Sequence, residues 1–219
     1  MLVCGIDEAG RGPVLGPLCI GSVILDDAGR KELKDLGVRD SKKLSSARRE
    51  EMEPRIKQVS IEWRIISITP NEIDFLRKRL SLNHIEASKM ADIILSHDKM
   101  PPKVIVDAAD PVAENYGERI RTLLKQKGCE ALPEIVSEHK ADDNYIEVSA
   151  ASVLAKVARD RSIAELRMVH GELGSGYPSD EVTMEYLKKL SRSGAELPSF
   201  VRKSWISVKR GNQTSLGEF

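Results

Sequence analysis

Cysteine is scarce: the 219 residues contain three (Cys4, Cys19, Cys129), widely spaced and odd in number. That excludes a disulfide framework and any Cys–His spacing suited to zinc. Cys4 and Cys19 lie in apolar, strand-like runs and read as small core residues in a reducing compartment. Net charge is also missing, because 34 Lys and Arg balance 34 Asp and Glu. The balance excludes no class of partner, since nucleic-acid binding depends on whether the cations cluster on one face. There is no long hydrophobic run. The longest, Pro13 to Leu25, is broken by Gly and Pro and falls short of the roughly 20 residues a membrane-spanning helix needs. No basic leader precedes it, and Asp7-Glu8 interrupts any signal-peptide core. The expectation is a cytoplasmic chain without membrane attachment, acting as a monomer. Three of the four histidines (His84, His97, His170) fall on helix-like stretches without partner spacing. His139, close in sequence to Asp142, is either an assistant to catalysis or a surface residue.

Against this plain background, residues 3 to 13 stand out: Val-Cys-Gly-Ile-Asp-Glu-Ala-Gly-Arg-Gly-Pro. A short apolar strand runs into two adjacent carboxylates, and a glycine-rich loop follows. Carboxylates beside buried apolar residues are costly unless something pairs with them. Glycines let a ligand approach the backbone. The pair therefore marks either a metal or acid–base site, or a polar turn between two strands.

The rest of the chain reads as alternating elements. Asp26 to Gly29 is a turn, followed by a short helix over 30–37. Ser45 caps a helix to about Gln58. Residues 60–68 alternate as a strand, and Thr69-Pro70-Asn71-Glu72 is a capping box with proline at the first helical position. Asn83 to Glu86 repeats the cap spacing and opens a helix to about His97. Strands are predicted at 103–107 and 134–138, with a helix over 113–126 between them. A long helix then runs to about His170, with Val153, Val157, Ala164 and Met168 as its buried stripe. Early strands joined by turns and later ones by helices predict an α/β fold with a mixed sheet, an antiparallel hairpin first and parallel crossovers after it.

Three of these strand or loop ends carry acids: Asp7-Glu8, Asp107 and Asp142, the last followed by Asp143. Ligands of α/β sheets collect at strand ends where connections change direction. Four carboxylates in one crevice cannot all ionise without cations. An all-oxygen donor set favours Mg²⁺ or Mn²⁺ over zinc, and two such ions about 4 Å apart suit phosphodiester hydrolysis. Neighbouring residues on a strand face opposite ways. Asp7 and Glu8 are therefore expected to share a site only if the backbone breaks there.

Taken together, Gly5 to Pro13, Val38-Arg-Asp-Ser-Lys-Lys-Leu44, Asp107 after its strand, His139-Lys-Ala-Asp142, Val148 to Asp160 and Gly174-Ser-Gly-Tyr-Pro-Ser-Asp180 resemble the ribonuclease HII family, particularly its archaeal members. The pieces occur in family order over nearly the whole chain. Type I enzymes, by contrast, place the glutamate on a distant helix. The resemblance implies an RNase H-like mixed five-stranded sheet flanked by helices over 1–171, a C-terminal helical region over 172–211 and a tail over 212–219. It implies endonucleolytic cutting of the RNA strand of RNA–DNA hybrids, including single ribonucleotides embedded in duplex DNA. Asp7, Glu8, Asp107 and Asp142 become the metal-binding catalytic acids. Gly10, Arg11 and Gly12 become the reader of the 2′-hydroxyl, partly through backbone groups. Tyr177 is expected to pack on the following deoxyribose, and Lys42 to contact a phosphate. The 2′-hydroxyl is what distinguishes RNA from DNA at one nucleotide, so a close backbone loop suits that task.

The last residues add one further motif. Gln213, Leu216 and Phe219 match the Gln-x-x-aliphatic-x-x-aromatic pattern of peptides that bind the replication sliding clamp, without the usual second aromatic. Such a segment folds into a groove on binding; the alternative is an inert terminus.

Overall fold

The computed structural model describes residues 1–38, 44–205 and 207–208. Lys42, Gln213, Leu216 and Phe219 lie outside the described residues. By internal contacts the chain forms two compact units, each discontinuous in sequence. The first comprises Met1–Ala9, Cys19–Ile66 and Ser81–Ala158. The second comprises Gly10–Leu18, Ser67–Leu80 and Arg159–Phe219.

The first unit is built on a mixed sheet of order β3-β2-β1-β4-β5. Its strands are β1 (Val3–Ala9), β2 (Leu18–Leu25), β3 (Glu62–Ile68), β4 (Lys103–Asp107) and β5 (Glu134–Glu138). β1 pairs antiparallel with β2 and parallel with β4, and β4 pairs parallel with β5. This is the predicted hairpin followed by crossovers. α1 (Asp27–Asp35) and α2 (Ser46–Val59) follow β2, α3 (Pro70–Leu76) and α4 (Leu82–Leu95) follow β3, and α5 (Ala113–Gln126) connects β4 to β5. After β5 come α6 (Ala141–Asn144), α7 (Ile146–His170) and α8 (Glu181–Arg192).

Capping chemistry sets most of these boundaries. Ser45 accepts from Arg48 N–H and Thr69 from Glu72 N–H, as expected. Asp26 caps α1 by accepting from Gly29 N–H, so the anticipated turn is that helix's first turn. The α4 cap is Ser81, two residues before the predicted one. Asn83 instead donates its amide to Ala109 O and the Asp110 carboxylate. The predicted stripe of α7 also fails at its far end: Ala164 and Met168 are exposed, and Ile163 takes the buried place. Four apolar positions at regular spacing did not identify which face was covered.

Buried Val23, Leu25, Leu33, Ile56, Val153 and Val157 form the core shared by β2, α1, α2 and the first half of α7. α7 lies unusually close to the sheet. A Cβ on Gly5 would stand 2.2 Å from the Glu147 carbonyl carbon, and one on Gly21 would stand 2.4 Å from Ala151 O. The second unit has its own core of Val14, Leu15, Ile163, Leu173, Leu187, Phe200 and Val201.

Candidate active site

The candidate site residues fall in two groups, one in each unit. The first lies at the C-terminal ends of β1 and β4. Ile6 pairs with Val106, so Asp7 and Asp107 follow at adjacent positions on neighbouring parallel strands. Asp107 closes β4, and its Oδ1 accepts from Ala141 N–H at 2.8 Å, which ties it to the first turn of α6. Just before that turn, Lys140 has a φ of 57°, a left-handed conformation disfavoured for residues other than glycine. The kink sends the chain directly from β5 into α6, and Asp142 is buried there.

Asp7 is 5% exposed. Burial pushes its carboxyl well above the usual carboxylate range, and the charge of Glu8 adds to that. A hydrogen bond from Ser152 opposes the shift, while Asp107 and Asp142 raise it further. The other three predicted acids therefore all act on Asp7. The expected backbone break between Asp7 and Glu8 is absent. The β1–β2 ladder continues through Asp7–Gly21, Glu8–Ile20 and Ala9–Cys19. Asp7 Oδ1 accepts from the N–H of Glu8 at 2.8 Å, so the shorter carboxylate turns along its own strand while regular β geometry persists. The chain turns only at Gly10, whose φ is 96°.

Among the described residues, no three His, Cys, Asp or Glu side chains are already gathered around one point. The coupling is one of charge, and a divalent cation allows such a set to ionise together. Four carboxylates without thiolate or imidazole fit a hard cation such as Mg²⁺ or Mn²⁺. His139 is not part of this group. It is exposed, and its Nε2 meets Pro111 O at 3.3 Å. Asp143 sits within α6, with its N–H on Lys140 O.

The second group brings the glycine loop and Tyr177 together. A Cβ on Gly12 would stand 3.5 Å from the Tyr177 ring, and the Arg159 guanidinium lies over that ring at 4.9 Å. Val14 and Leu15 both donate to Gly176 O. Asp180 accepts from Ser175 N–H and caps α8. Hydrogen bonds from Ser175 hold its carboxyl down to about 2. Thr183 Oγ1 accepts from Gly176 N–H and donates to Leu173 O. The turn carrying Tyr177 is thus braced from both sides.

The family model for ribonuclease HII matches residues 4–208. The chain belongs to the ribonuclease HII family. A ribonuclease HII of Thermococcus onnurineus is 42% identical over 231 aligned residues, covering 100% of this chain and 99% of that protein. The solved ribonuclease H2 of Pyrococcus horikoshii superposes with a TM-score of 0.91 at 37% identity, over the full length of both chains. The ribonuclease HII of Archaeoglobus fulgidus, solved in complex with PCNA, gives a TM-score of 0.84 at 38% identity, over 94% of this chain and 95% of that one. Membership makes this a metal-dependent type II ribonuclease H that hydrolyses the RNA strand of RNA–DNA hybrids.

Sequence reasoning missed three features of the structure. Ser152, the hydrogen-bond partner of Asp7, lies in the run Ser149-Ala-Ala-Ser152; its small residues were the available sign of a helix face pressed onto the sheet. Arg159, behind Tyr177, left no sign. His97 has partners after all: its Nε2 lies 2.7 Å from Ser22 Oγ and its Nδ1 3.2 Å from Glu62 Oε2. This has the composition of a nucleophile–base–acid triad. However, Ser22 and the His97 ring are both fully covered, so the trio ties β2, β3 and the end of α4 together.

Proposed function

We propose that the chain is an endonuclease that hydrolyses the RNA strand of RNA–DNA hybrids, including single ribonucleotides embedded in duplex DNA, leaving 3′-hydroxyl and 5′-phosphate ends by two-metal-ion catalysis. The observation that supports this reading best is Asp7, a buried carboxylate whose ionisation is opposed by Glu8, Asp107 and Asp142. Asp7, Glu8, Asp107 and Asp142 would hold a pair of Mg²⁺ or Mn²⁺ ions. When bound, such ions supply Lewis-acid charge that lowers the pKa of water and offsets charge on the leaving oxygen. Ser152 and the Glu8 N–H orient Asp7, and Ala141 N–H orients Asp107. These bonds restrict the orientations in which the two carboxylates would meet a cation.

Gly10, Arg11 and Gly12 read the ribose 2′-hydroxyl in this proposal, and Tyr177 packs on the next deoxyribose, where an extra hydroxyl is penalised. Lys42 contacts a phosphate. Residues 172–211 help to hold the duplex, and Gln213, Leu216 and Phe219 engage a sliding clamp. The PCNA complex of the Archaeoglobus relative supports the clamp contact. Among the described residues no helix is long and apolar enough to cross a membrane, and the three cysteines are free thiols. A cytoplasmic monomer is part of the same proposal.

The deciding experiment is cleavage of a DNA duplex carrying one ribonucleotide, with Mg²⁺ or Mn²⁺ and with EDTA, beside an all-DNA duplex. Metal-dependent cutting at the ribonucleotide alone is expected. Equal cutting of the all-DNA control overturns the reading. Replacing Asp107 by Asn abolishes turnover if the acid site is assigned correctly.

A further inference from the structure

Arg202 is the largest side chain in the described structure to be fully buried. Taking a guanidinium out of water is expensive, and an apolar side chain of similar volume often serves stability as well or better. Its position therefore calls for a reason beyond packing, and its contacts supply one. Nε donates to Gly16 O at 3.0 Å and Nη1 donates to Arg11 O at 3.3 Å. The guanidinium lies over the Trp205 ring, 4.9 Å from its centroid, and that ring also carries Arg77 at 5.2 Å. Arg202 N–H donates to Val14 O at 2.9 Å. Both the main chain and the side chain of one residue thus fasten the loop over residues 11–16.

The bond to Arg11 O has a directional consequence. In a trans peptide the carbonyl and the following N–H point in opposite directions within one plane. Holding the Arg11 carbonyl toward the buried guanidinium turns the Gly12 N–H the other way. Gly12 is exposed and is the loop residue whose missing side chain faces Tyr177 at 3.5 Å. The donor aimed by Arg202 is a backbone N–H on the open side of the loop, beside the aromatic ring.

We infer that Arg202 is a positioning residue that sets the Arg11–Gly12 peptide plane, so that the Gly12 N–H meets the ribose oxygen at the cut. This rests on the proposed role of the loop as the 2′-hydroxyl reader, and names the residue that gives the loop its selectivity. A lysine at 202 offers a point donor in place of a planar fork, and a methionine offers none. In either case the peptide plane loses its anchor, and a misplacement of about 1 Å is enough to cost on the order of 100-fold in rate.

The test measures kcat and KM of wild type, R202K and R202M on two duplexes. One carries a single ribonucleotide, and the other carries a 2′-fluoro nucleotide at the same position. Thermal melts establish the folded fraction. A merely structural role lowers the amount of active enzyme on both duplexes equally and leaves the preference unchanged. A positioning role lowers kcat on the ribonucleotide duplex by roughly tenfold or more in R202M, with R202K between it and wild type. KM stays within about twofold, because phosphate contacts elsewhere are intact. W205L removes only the ring beneath the guanidinium and provides a further variant should both Arg202 substitutions melt; its preference is expected to fall severalfold. An unchanged preference in folded R202M, or in W205L if that is the folded variant, overturns the assignment of Arg202. A wild-type enzyme with no preference for the 2′-hydroxyl overturns the loop reading itself, so the two failures are distinguishable.

Discussion

Replacing Asp7 by Asn should destroy activity and, without metal, stabilise the protein. Asp7 and Asp107 occupy adjacent positions on paired parallel strands, whose backbones lie about 4.8 Å apart. Two like charges about 5 Å apart repel by about 3 kcal/mol at an effective dielectric constant of about 20. Glu8 acts on Asp7 more strongly than Asp107 does, and burial adds the largest cost of all. Against this stand the hydrogen bonds from Glu8 N–H and Ser152, which weaken when their acceptor becomes a neutral amide. A net gain of about 1 to 3 kcal/mol for D7N in EDTA remains, within the usual range for a poorly compensated buried polar group. For a chain of this length each kcal/mol moves Tm by about 2 to 4 °C, so D7N should melt about 2 to 12 °C higher. The sign follows from the raised folded-state pKa. The stability contributed by protonated Asp7 is fully present below the unfolded value near 3.8 and is lost as pH rises through the folded value. The advantage of D7N should therefore grow from about pH 4 to about pH 8. Added Mn²⁺ should raise the wild-type Tm and narrow the gap. Calorimetry in EDTA across that range, repeated with Mn²⁺, is the assay. If D7N is no more stable than wild type at about pH 8 without metal, the carboxylate coupling described here is wrong.

Other perturbations probe the frame around the site. In Gly21→Ala the new methyl would stand 2.4 Å from Ala151 O, so α7 must shift; a loss of about 1 to 3 kcal/mol or more is expected, read as a lower Tm. Turnover falls as well, because Ser152 rides on the same helix turn. Tyr177→Ala removes a ring that is 38% exposed and should leave Tm nearly unchanged. Its effect appears as lost discrimination between a deoxyribonucleotide and a ribonucleotide on the 3′ side of the cut. Burial holds the His97 pKa below 6.5 despite the charge of Glu62. The neutral ring's contribution is therefore complete above the unfolded value near 6.5 and is lost as pH falls through the folded value. Urea unfolding from about pH 7 to about pH 5 should show that decline in wild type and a flatter profile in His97→Leu; parallel profiles would remove His97 as its source.

Whatever is set by local chemistry was legible in the sequence. β4, β5 and α5 have the predicted bounds because a β-branched run, a proline break and a glycine stop act within a few residues. The mixed order of the sheet followed from which connections were turns and which were helices. Contacts distant in sequence were not legible. The real cap of α4 is Ser81 because Asn83 is engaged by Ala109 and Asp110, and no local pattern announces that competition. Met168 kept the helical spacing of the α7 stripe but is 79% exposed. His97 looked solitary because its partners lie 75 and 35 positions away, at Ser22 and Glu62.

The same distinction separates the candidate site residues from those that hold them in place. Asp7, Glu8, Asp107, Asp142 and the glycine loop declare themselves because carboxylates at strand ends and glycines in a turn are chemically unusual where they stand. Ser152, Ala141 N–H, Arg159 and Arg202 are ordinary in sequence, and only the fold brings them to the carboxylates, the tyrosine ring and the Arg11 carbonyl. For Asp7 this has a further implication. Regular β geometry continues through Glu8, so no backbone break supplies the aim of either acid. The aim comes from the neighbours: Ser152 arrives because Gly5 and Gly21 leave room for α7 to press onto the sheet. A methyl group at Gly21, directly opposite Asp7 on the neighbouring strand, would therefore also disturb that carboxylate by moving the helix that carries Ser152.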